Sequence, residues 1–378
     1  MLIKNCNIIF KDKIECGNIL IENGKIKSLN PDMIDHSETI DGSNLYLSPG
    51  FIDVHIHGAG GCDTMDGTFE SIDKISKVIS SHGTTSFLPT TMTCSIDDIK
   101  KSIESISYAK KNGTSGANVL GAHLEGPFIS SHMIGAQNPL YVAEPSINTF
   151  KHMIGDHIND IVTVTLAPEV EGAKDLIKFL KENNINPSIG HSKATYDEAI
   201  EGINCGACHS THLFNAMTPL HHREPGVVGA ILDSDITTET ISDGVHINYG
   251  SLRIAYKTKT TDKVLLVTDA MMACCMPDGK YSLGGQEVIV ENHAARLNNG
   301  SLAGSVLTLD AAIRNVYRNS QYPLYEIVKM ATLNGAKLCK VDDTKGLIQE
   351  GYDADLVLFD DNINIKYTIV NGNIVYKA

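Results

Sequence analysis

Six residues of this chain carry side chains suited to binding a metal, and each sits at or just past the end of a short apolar run. His55 and His57 close the run 51–57, and Glu125 closes 119–125. His191 follows 186–190, His212 lies near the end of 208–213, and Asp269 follows 264–268. On an extended strand, residues two apart face the same way, so His55 and His57 share a face. Imidazoles mixed with carboxylates suit Zn2+ or Fe2+, whereas Mg2+ favours oxygen throughout. Such a centre, with one position left for water, brings the pKa of that water to about 7 and polarises an amide carbonyl. A neighbouring carboxylate can take the proton and return it to the leaving amine, and Asp269 is the residue expected in that role. A single histidine at a strand end is ordinarily structural, and His82, His132, His152, His157, His209, His221 and His293 are read that way. Six ligand-type residues at strand ends call for a shared explanation.

Bringing those six to one place requires a scaffold that gathers strand ends. Eight β-branched apolar runs fall at 51–57, 84–90, 119–125, 161–167, 186–190, 208–213, 237–242 and 264–268, with amphipathic stretches such as 72–81 and 96–111 between them. That alternation predicts an α/β fold, a (β/α)8 TIM barrel, whose C-terminal mouth collects the residues that end its strands. An open doubly wound sheet competes, but no glycine-rich phosphate fingerprint follows an early strand. Both ends of the chain look different. Asn23-Gly24 and Asn371-Gly372 each separate two short β-type runs, the sequence signal of a two-residue hairpin. The expected organisation is a small β-sandwich domain from 1–48 and 346–378 enclosing a barrel at 49–345. A hairpin is expected over 281–299, and helices over 309–318 and 325–338.

Composition narrows the partners. Of 378 residues, 42% are hydrophobic and 20% charged, as in an ordinary globular protein, and the formal net charge is −14. No block of Lys and Arg offsets that charge, which disfavours nucleic acid and an anionic membrane surface. A small anionic substrate remains compatible if a few basic residues and backbone amides hold it. The nine cysteines lack small-scaffold spacing, no apolar run reaches a membrane-spanning length, and the start lacks a signal-peptide run. A reduced, cytoplasmic setting is therefore expected. Cys205 and Cys208 form a C-x-x-C without a second pair and are expected as buried thiols on a strand.

PGFIDVHIHG at 49–58 resembles the opening strand of the amidohydrolase superfamily. HLEGPF at 123–128, LAPE at 166–169, HLFNAM at 212–217, REPG at 223–226, DGVH at 243–246, VTDA at 267–270 and LAGS at 302–305 narrow the resemblance to the N-acetylglucosamine-6-phosphate deacetylase family. The matches run in family order along almost the whole chain. The resemblance implies hydrolytic removal of the acetyl group from N-acetyl-D-glucosamine 6-phosphate by a homodimer. It implies Glu125, His191 and His212 as principal ligands and Asp269 as catalytic acid/base. Because His55 and His57 are intact, it allows a second metal with Glu125 bridging, so one or two divalent ions per chain. Ala136, Asn215, Ala216, Arg223, His246 and the loop Leu302, Ala303 and Gly304 match substrate-binding positions, with Arg223 on the phosphate. Gln137 stands where some members have His, so polarising a carbonyl there would fall to a neutral amide. The family's lysines after the EGPF motif are missing, replaced by Ser131-His132-Met133-Ile134.

Three alternatives bear on the expectation. The galactosamine epimer differs by one hydroxyl configuration that motifs do not encode. A cyclic-amide hydrolase would bridge its metals with a modified lysine on the fourth strand, and 161–167 contains none. A non-catalytic scaffold with this fold would have lost Asp269 or ligands, and all are present.

Overall fold

The computed structural model describes residues 1–31 and 38–378, so 32–37 of the expected terminal domain lie outside the described residues. Eight parallel strands form the barrel: Phe51–Ile56, Thr84–Thr91, Ala122–Glu125, Ile161–Leu166, Asn186–Ile189, His209–Ser210, Thr237–Ile241 and Val264–Val267. The α/β barrel expectation holds, with two local differences. A separate piece, Asn118–Val119, pairs with the second strand, and the chain bends at Gly121 before the third. The sixth strand is only two residues long, although Thr211 and Leu213 continue its hydrogen bonding to Ile189 and Glu239.

Helices cover the outside because their apolar residues recur at helical spacing. Phe69–Ser80 starts on the Thr68 cap and buries Ile72, Ile75 and Ile79. Ile96–Asn112 starts on Ser95 and buries Ile99, Ile103 and Ile106. Each buried isoleucine contributes roughly 1.5–3 kcal/mol by leaving water.

The join between first and eighth strands positions much of the site. The Asp269 amide donates to the His55 carbonyl at 2.9 Å, and the His57 amide to Ala270 at 2.8 Å. Just below, the buried Asp53 carboxylate accepts from Thr268 Oγ1 at 2.6 Å and from the amides of Thr268 and His55 at 3.3 Å. At the lower end, Asn334 Nδ2 donates to the carbonyls of Thr261 and Val264, both at 2.7 Å. Gly335 packs so closely on Ile52 that a Cβ there would meet Ile52 Cβ at 3.1 Å. A short helix, Leu333–Leu338, therefore fills the part of the seam that strand pairing leaves open. The predicted helix over 325–338 is accordingly two helices, Leu324–Met330 and Leu333–Leu338.

Both chain ends meet in a second sheet. Its order runs Asn373–Lys377, Ile365–Val370, Leu356–Phe359, Tyr46–Pro49, Leu2–Ile9, Ile14–Glu22, Lys25–Leu29, with Thr39–Asp41 also against Leu2–Ile9. Ile3, Ile8, Ile19, Ile21, Leu356 and Leu358 form its own apolar cluster. Asn23, Gly24, Asn371 and Gly372 all have positive φ, as two-residue hairpin turns require, and the two turns abut: a Cβ on Gly372 would sit 2.9 Å from Gly24 Cα.

Two further expectations are corrected. The segment 281–299 is not a single hairpin but three antiparallel strands, Gly279–Leu283, Gln286–Glu291 and Ala294–Leu297, because a second turn at Asn292-His293 adds a strand. Cys205 and Cys208 are not on a strand: Cys205 ends the helix Tyr196–Cys205, Cys208 lies in the connection that follows, and both are half-buried. Among the described residues, no helix is long and apolar enough to cross a membrane.

Candidate active site

At the C-terminal mouth the six expected residues come together. Glu125 Oε1 lies 2.9 Å from His212 Nε2 and 3.3 Å from His191 Nε2. Its Oε2 lies 3.3 Å from His57 Nε2. His55 Nε2 and His57 Nε2 are 3.3 Å apart, and Asp269 Oδ1 is 3.6 and 3.2 Å from them. Two triads thus share one carboxylate, His55–His57–Glu125 on one side and Glu125–His191–His212 on the other, each with its ligand atoms within 4.8 Å. Three of the six hold left-handed backbone: His191 at φ 50°, His212 at φ 29° and Asp269 at φ 49°. Non-glycine residues adopt that region at a cost of order 1–3 kcal/mol, which surrounding structure must offset. Here it ends each strand abruptly and turns the side chain into the mouth.

The outer nitrogens show which ring atom faces the centre. His55 Nδ1 meets Glu239 Oε2 at 2.8 Å, His57 Nδ1 meets the Thr90 carbonyl at 3.1 Å, and His191 Nδ1 meets the Met133 carbonyl at 3.0 Å. These oxygens can only accept, so each Nδ1 carries the proton, and a neutral ring then points the Nε2 lone pair inward. His212 is the exception, with its buried Nδ1 lacking a partner among the described residues. Lone pairs of His55 and His57 facing each other at 3.3 Å, beside two carboxylates, form a donor set that fits a cation. The electrostatics agree. Burial alone would lower His55, but Glu239, Glu125 and Asp269 outweigh it and lift its pKa to about 9, so these carboxylates favour positive charge at Nε2, whether a proton or a cation. Burial would raise Glu125, but His55, His191, His212 and His57 hold it well below the usual carboxylate range.

Glu239 is the main residue that sequence reasoning missed. It lies fully buried on the seventh strand, accepts from His55 and from His209 Nε2 at 3.1 Å, and accepts the His212 amide at 3.0 Å. Burial pushes Glu239 up, yet His55 and His209 hold it well below its ordinary value. The signal was a charged residue inside a strand due for complete burial. Asp53, in phase with His55 and His57, gave the same signal. His123 is buried too, but it is tied to the Val54 carbonyl and Thr165 Oγ1, and burial drives it down to about 3. It is a neutral support under His55.

Above the cluster lies a cavity of about 270 Å3. Among the predicted substrate positions, Ala136, Gln137, Asn215, Ala216, His246, Leu302 and Gly304 line it. Gln137 is already engaged: its Oε1 accepts from the Thr93 amide at 2.7 Å and its Nε2 donates to Glu125 Oε2 at 2.6 Å. It grips the shared carboxylate. His246 Nδ1 is held by Asp243 Oδ2 at 2.7 Å, which leaves Nε2 for a ligand. The loop carrying Leu302 and Gly304 is tied to the eighth strand by the Ser305 amide, which donates to the Asp269 carbonyl at 2.7 Å. Two predicted residues lie elsewhere. Ala303 is fully buried behind the wall, in the cluster under the three-stranded sheet. Arg223 is exposed beside a different groove, with its Nη1 2.8 Å from His222 Nε2. Met92, Gly135, Leu283 and Ser301 complete the lining without having been foreseen.

With that geometry in place, comparison with known proteins decides the family. The model of the amidohydrolase family matches residues 46–375. The chain belongs to the amidohydrolase family. A N-acetylglucosamine-6-phosphate deacetylase of Lysinibacillus sphaericus is 40% identical over 379 residues, covering 99% of this chain and 97% of that one. An N-acetylgalactosamine-6-phosphate deacetylase of Escherichia coli O157:H7 is 36% identical over 329 residues, covering 87% of each. The crystal structure of the N-acetylglucosamine-6-phosphate deacetylase from Pasteurella multocida superposes with a TM-score of 0.95 at 32% identity, covering 100% of this chain and 99% of that one. This amidohydrolase is an enzyme of a metal-dependent hydrolytic family, with its histidines and glutamate placed to hold metal.

Proposed function

We propose that this amidohydrolase removes the acetyl group from N-acetyl-D-glucosamine 6-phosphate, releasing D-glucosamine 6-phosphate and acetate. The observation that carries the reading is the shared-carboxylate cluster beneath a cavity, with Asp269 on its open side. Glu125, His191 and His212 would hold one divalent ion, and His55 and His57 with Glu125 a second, Zn2+ or Fe2+ by the donor set. A divalent cation there would supply Lewis acidity for the amide carbonyl and make hydroxide available near neutral pH.

The protein's own groups do the rest. Asp269 takes the proton of the attacking water and passes it to the amine nitrogen as the C–N bond breaks. Its carboxylate suits the first step: burial would raise its pKa, but positive charge at His55 and His57 lowers it, and a cation held there would act in the same direction. Gln137 steadies Glu125, while Glu239 and the Met133 and Thr90 carbonyls fix the imidazoles. His246, Asn215 and the backbone near Ala136 and Ala216 would orient the sugar. Arg223 stands outside the cavity lining of its own chain, so the reading assigns it to the phosphate of substrate in a partner subunit of a homodimer, in the cytoplasm. The test compares acetate release and direct binding of N-acetyl-D-glucosamine 6-phosphate for the wild type and Asp269→Asn. Turnover should fall about 10²–10⁴-fold while binding persists. Turnover within a few-fold of wild type would assign the proton transfers elsewhere.

A further inference from the structure

We propose that Cys275, activated through His82 and Asp310, is a thiolate that reacts with hydroperoxides, forming a redox modification site separate from the catalytic cavity. Cys275 is exposed, and its Sγ lies 3.3 Å from His82 Nε2. His82 Nδ1 lies 3.1 Å from Asp310 Oδ1, and Arg314 Nη2 holds the other Asp310 oxygen at 3.0 Å. An acceptor at Nδ1 places one proton there, and a second proton on Nε2 gives an imidazolium that donates to the sulfur. Cys274 Sγ, fully buried, lies 3.8 Å away, with the Leu307 carbonyl also within reach of its single proton at 3.4 Å. None of these residues lines the cavity or belongs to the six-residue cluster.

The neighbouring charges act in the same direction. The contacts to Cys274 and His82 pull the Cys275 thiol down to about 5, against partial desolvation of its sulfur in an otherwise exposed residue, while His82 rises to about 10 under Asp310 and Cys275, against the effect of burial. Burial pushes the other shifted thiols the opposite way, Cys6 and Cys339 to about 12 and Cys94 to about 11. In the reaction, the Cys275 thiolate attacks one peroxide oxygen. The S–O bond forms, the O–O bond breaks, and the departing oxygen takes the Nε2 proton of His82. Sulfur loses two electrons and the peroxide gains them, leaving a sulfenic acid and water or an alcohol. Adjacent residues keep their Cα atoms about 3.8 Å apart, short of an unstrained disulfide, so Cys274 is a poor resolving thiol. A small external thiol would instead condense with the sulfenic acid, releasing water, and a second would free Cys275 as the small-molecule disulfide leaves.

The test uses the full-length zinc-loaded enzyme. A low-pKa thiolate is intrinsically less nucleophilic, so its advantage is largest in mild acid, where ordinary thiols are almost fully protonated. Iodoacetamide labelling followed by peptide mass spectrometry at about pH 6 should modify Cys275 about tenfold faster than any other cysteine. Its rate should rise with a midpoint near 5. His82→Gln should slow that labelling about tenfold and move the midpoint towards the ordinary thiol value near 8.5, with the melting temperature reporting whether the variant folds. Limiting hydrogen peroxide followed by dimedone should tag Cys275, and Cys275→Ser should lose the tag. An ordinary midpoint for Cys275 in the wild type would overturn the proposal without reference to any variant. So would a dimedone tag on other cysteines with Cys275 unmodified.

Discussion

Replacing Glu239 with Gln tests whether the layer beneath the metal ligands sets their affinity. The carboxylate accepts three hydrogen bonds, from His55 Nδ1, His209 Nε2 and the His212 amide, at 2.8, 3.1 and 3.0 Å. Glutamine keeps the volume but turns one oxygen into an NH2 group, so at least one donor then faces a donor. Losing a charge-assisted hydrogen bond inside a buried site costs roughly 1.5–3 kcal/mol. His55 shares that loss even if the amide oxygen takes the Oε2 position and the NH2 turns to His209, because an amide oxygen accepts from Nδ1 without the carboxylate's charge. The expected result is about 10–100-fold weaker metal binding at the site containing His55 and His57, the range typical of lost outer partners. The site built on Glu125, His191 and His212 should change less, because His191 is anchored by the Met133 carbonyl and Glu239 reaches His212 only through its backbone amide. Titrating metal-free protein with zinc against a chromophoric chelator separates the two affinities. Unchanged affinity at both sites in a folded variant would refute the view that Glu239 positions His55.

Other consequences follow from the same geometry. His55→Gln combined with His57→Asn should lower bound zinc from about two ions towards one per chain, as counted by elemental analysis; an unchanged count would show that the pair does not ligate. Arg223→Ala should cut kcat/KM on the 6-phosphate by about 10–150-fold, the equivalent of a lost charge-assisted contact, and barely change any activity on the unphosphorylated sugar. Equal losses on both would make Arg223 structural. Burial lifts Cys6 from 9.0, and Cys339 likewise, to about 12, so the folded state keeps protons that the unfolded state releases. Their contribution is complete below about 9 and is lost as pH rises towards 12, so the melting temperature should decline over that range. Cys6→Ala should make the decline shallower, and an identical slope in the variant would contradict the assignment.

Much of this architecture was legible because barrel strands and the histidines and carboxylates at their ends leave strong local signals. β-Branched runs located all eight strands, and alternation put His55 and His57 on one face. What escaped depends on long-range packing. The seam between first and eighth strands is closed partly by Asp53 and partly by a helix 280 residues later, a contact that no local pattern encodes. Glu239 was visible as a charge within a β-branched strand due for burial, but its partners come from the first and sixth strands and appear only once the barrel closes. The third antiparallel strand in 279–297 depended on a turn at Asn292-His293 that lacks glycine. Arg223 shows another limit: its motif was readable, but its position outside the cavity lining is a property of the folded surface.

Metal-dependent deacetylation of a phosphorylated amino sugar at the Glu125 cluster stands or falls on acetate release from protein stripped of metal and then reloaded. Stripped protein should not turn over N-acetyl-D-glucosamine 6-phosphate, and zinc or ferrous iron should restore activity. That sugar should be turned over faster than its galacto epimer. Full activity in protein shown by elemental analysis to be metal-free would rule out metal-dependent hydrolysis at this cluster, and preference for the galacto epimer would make N-acetylgalactosamine 6-phosphate the substrate.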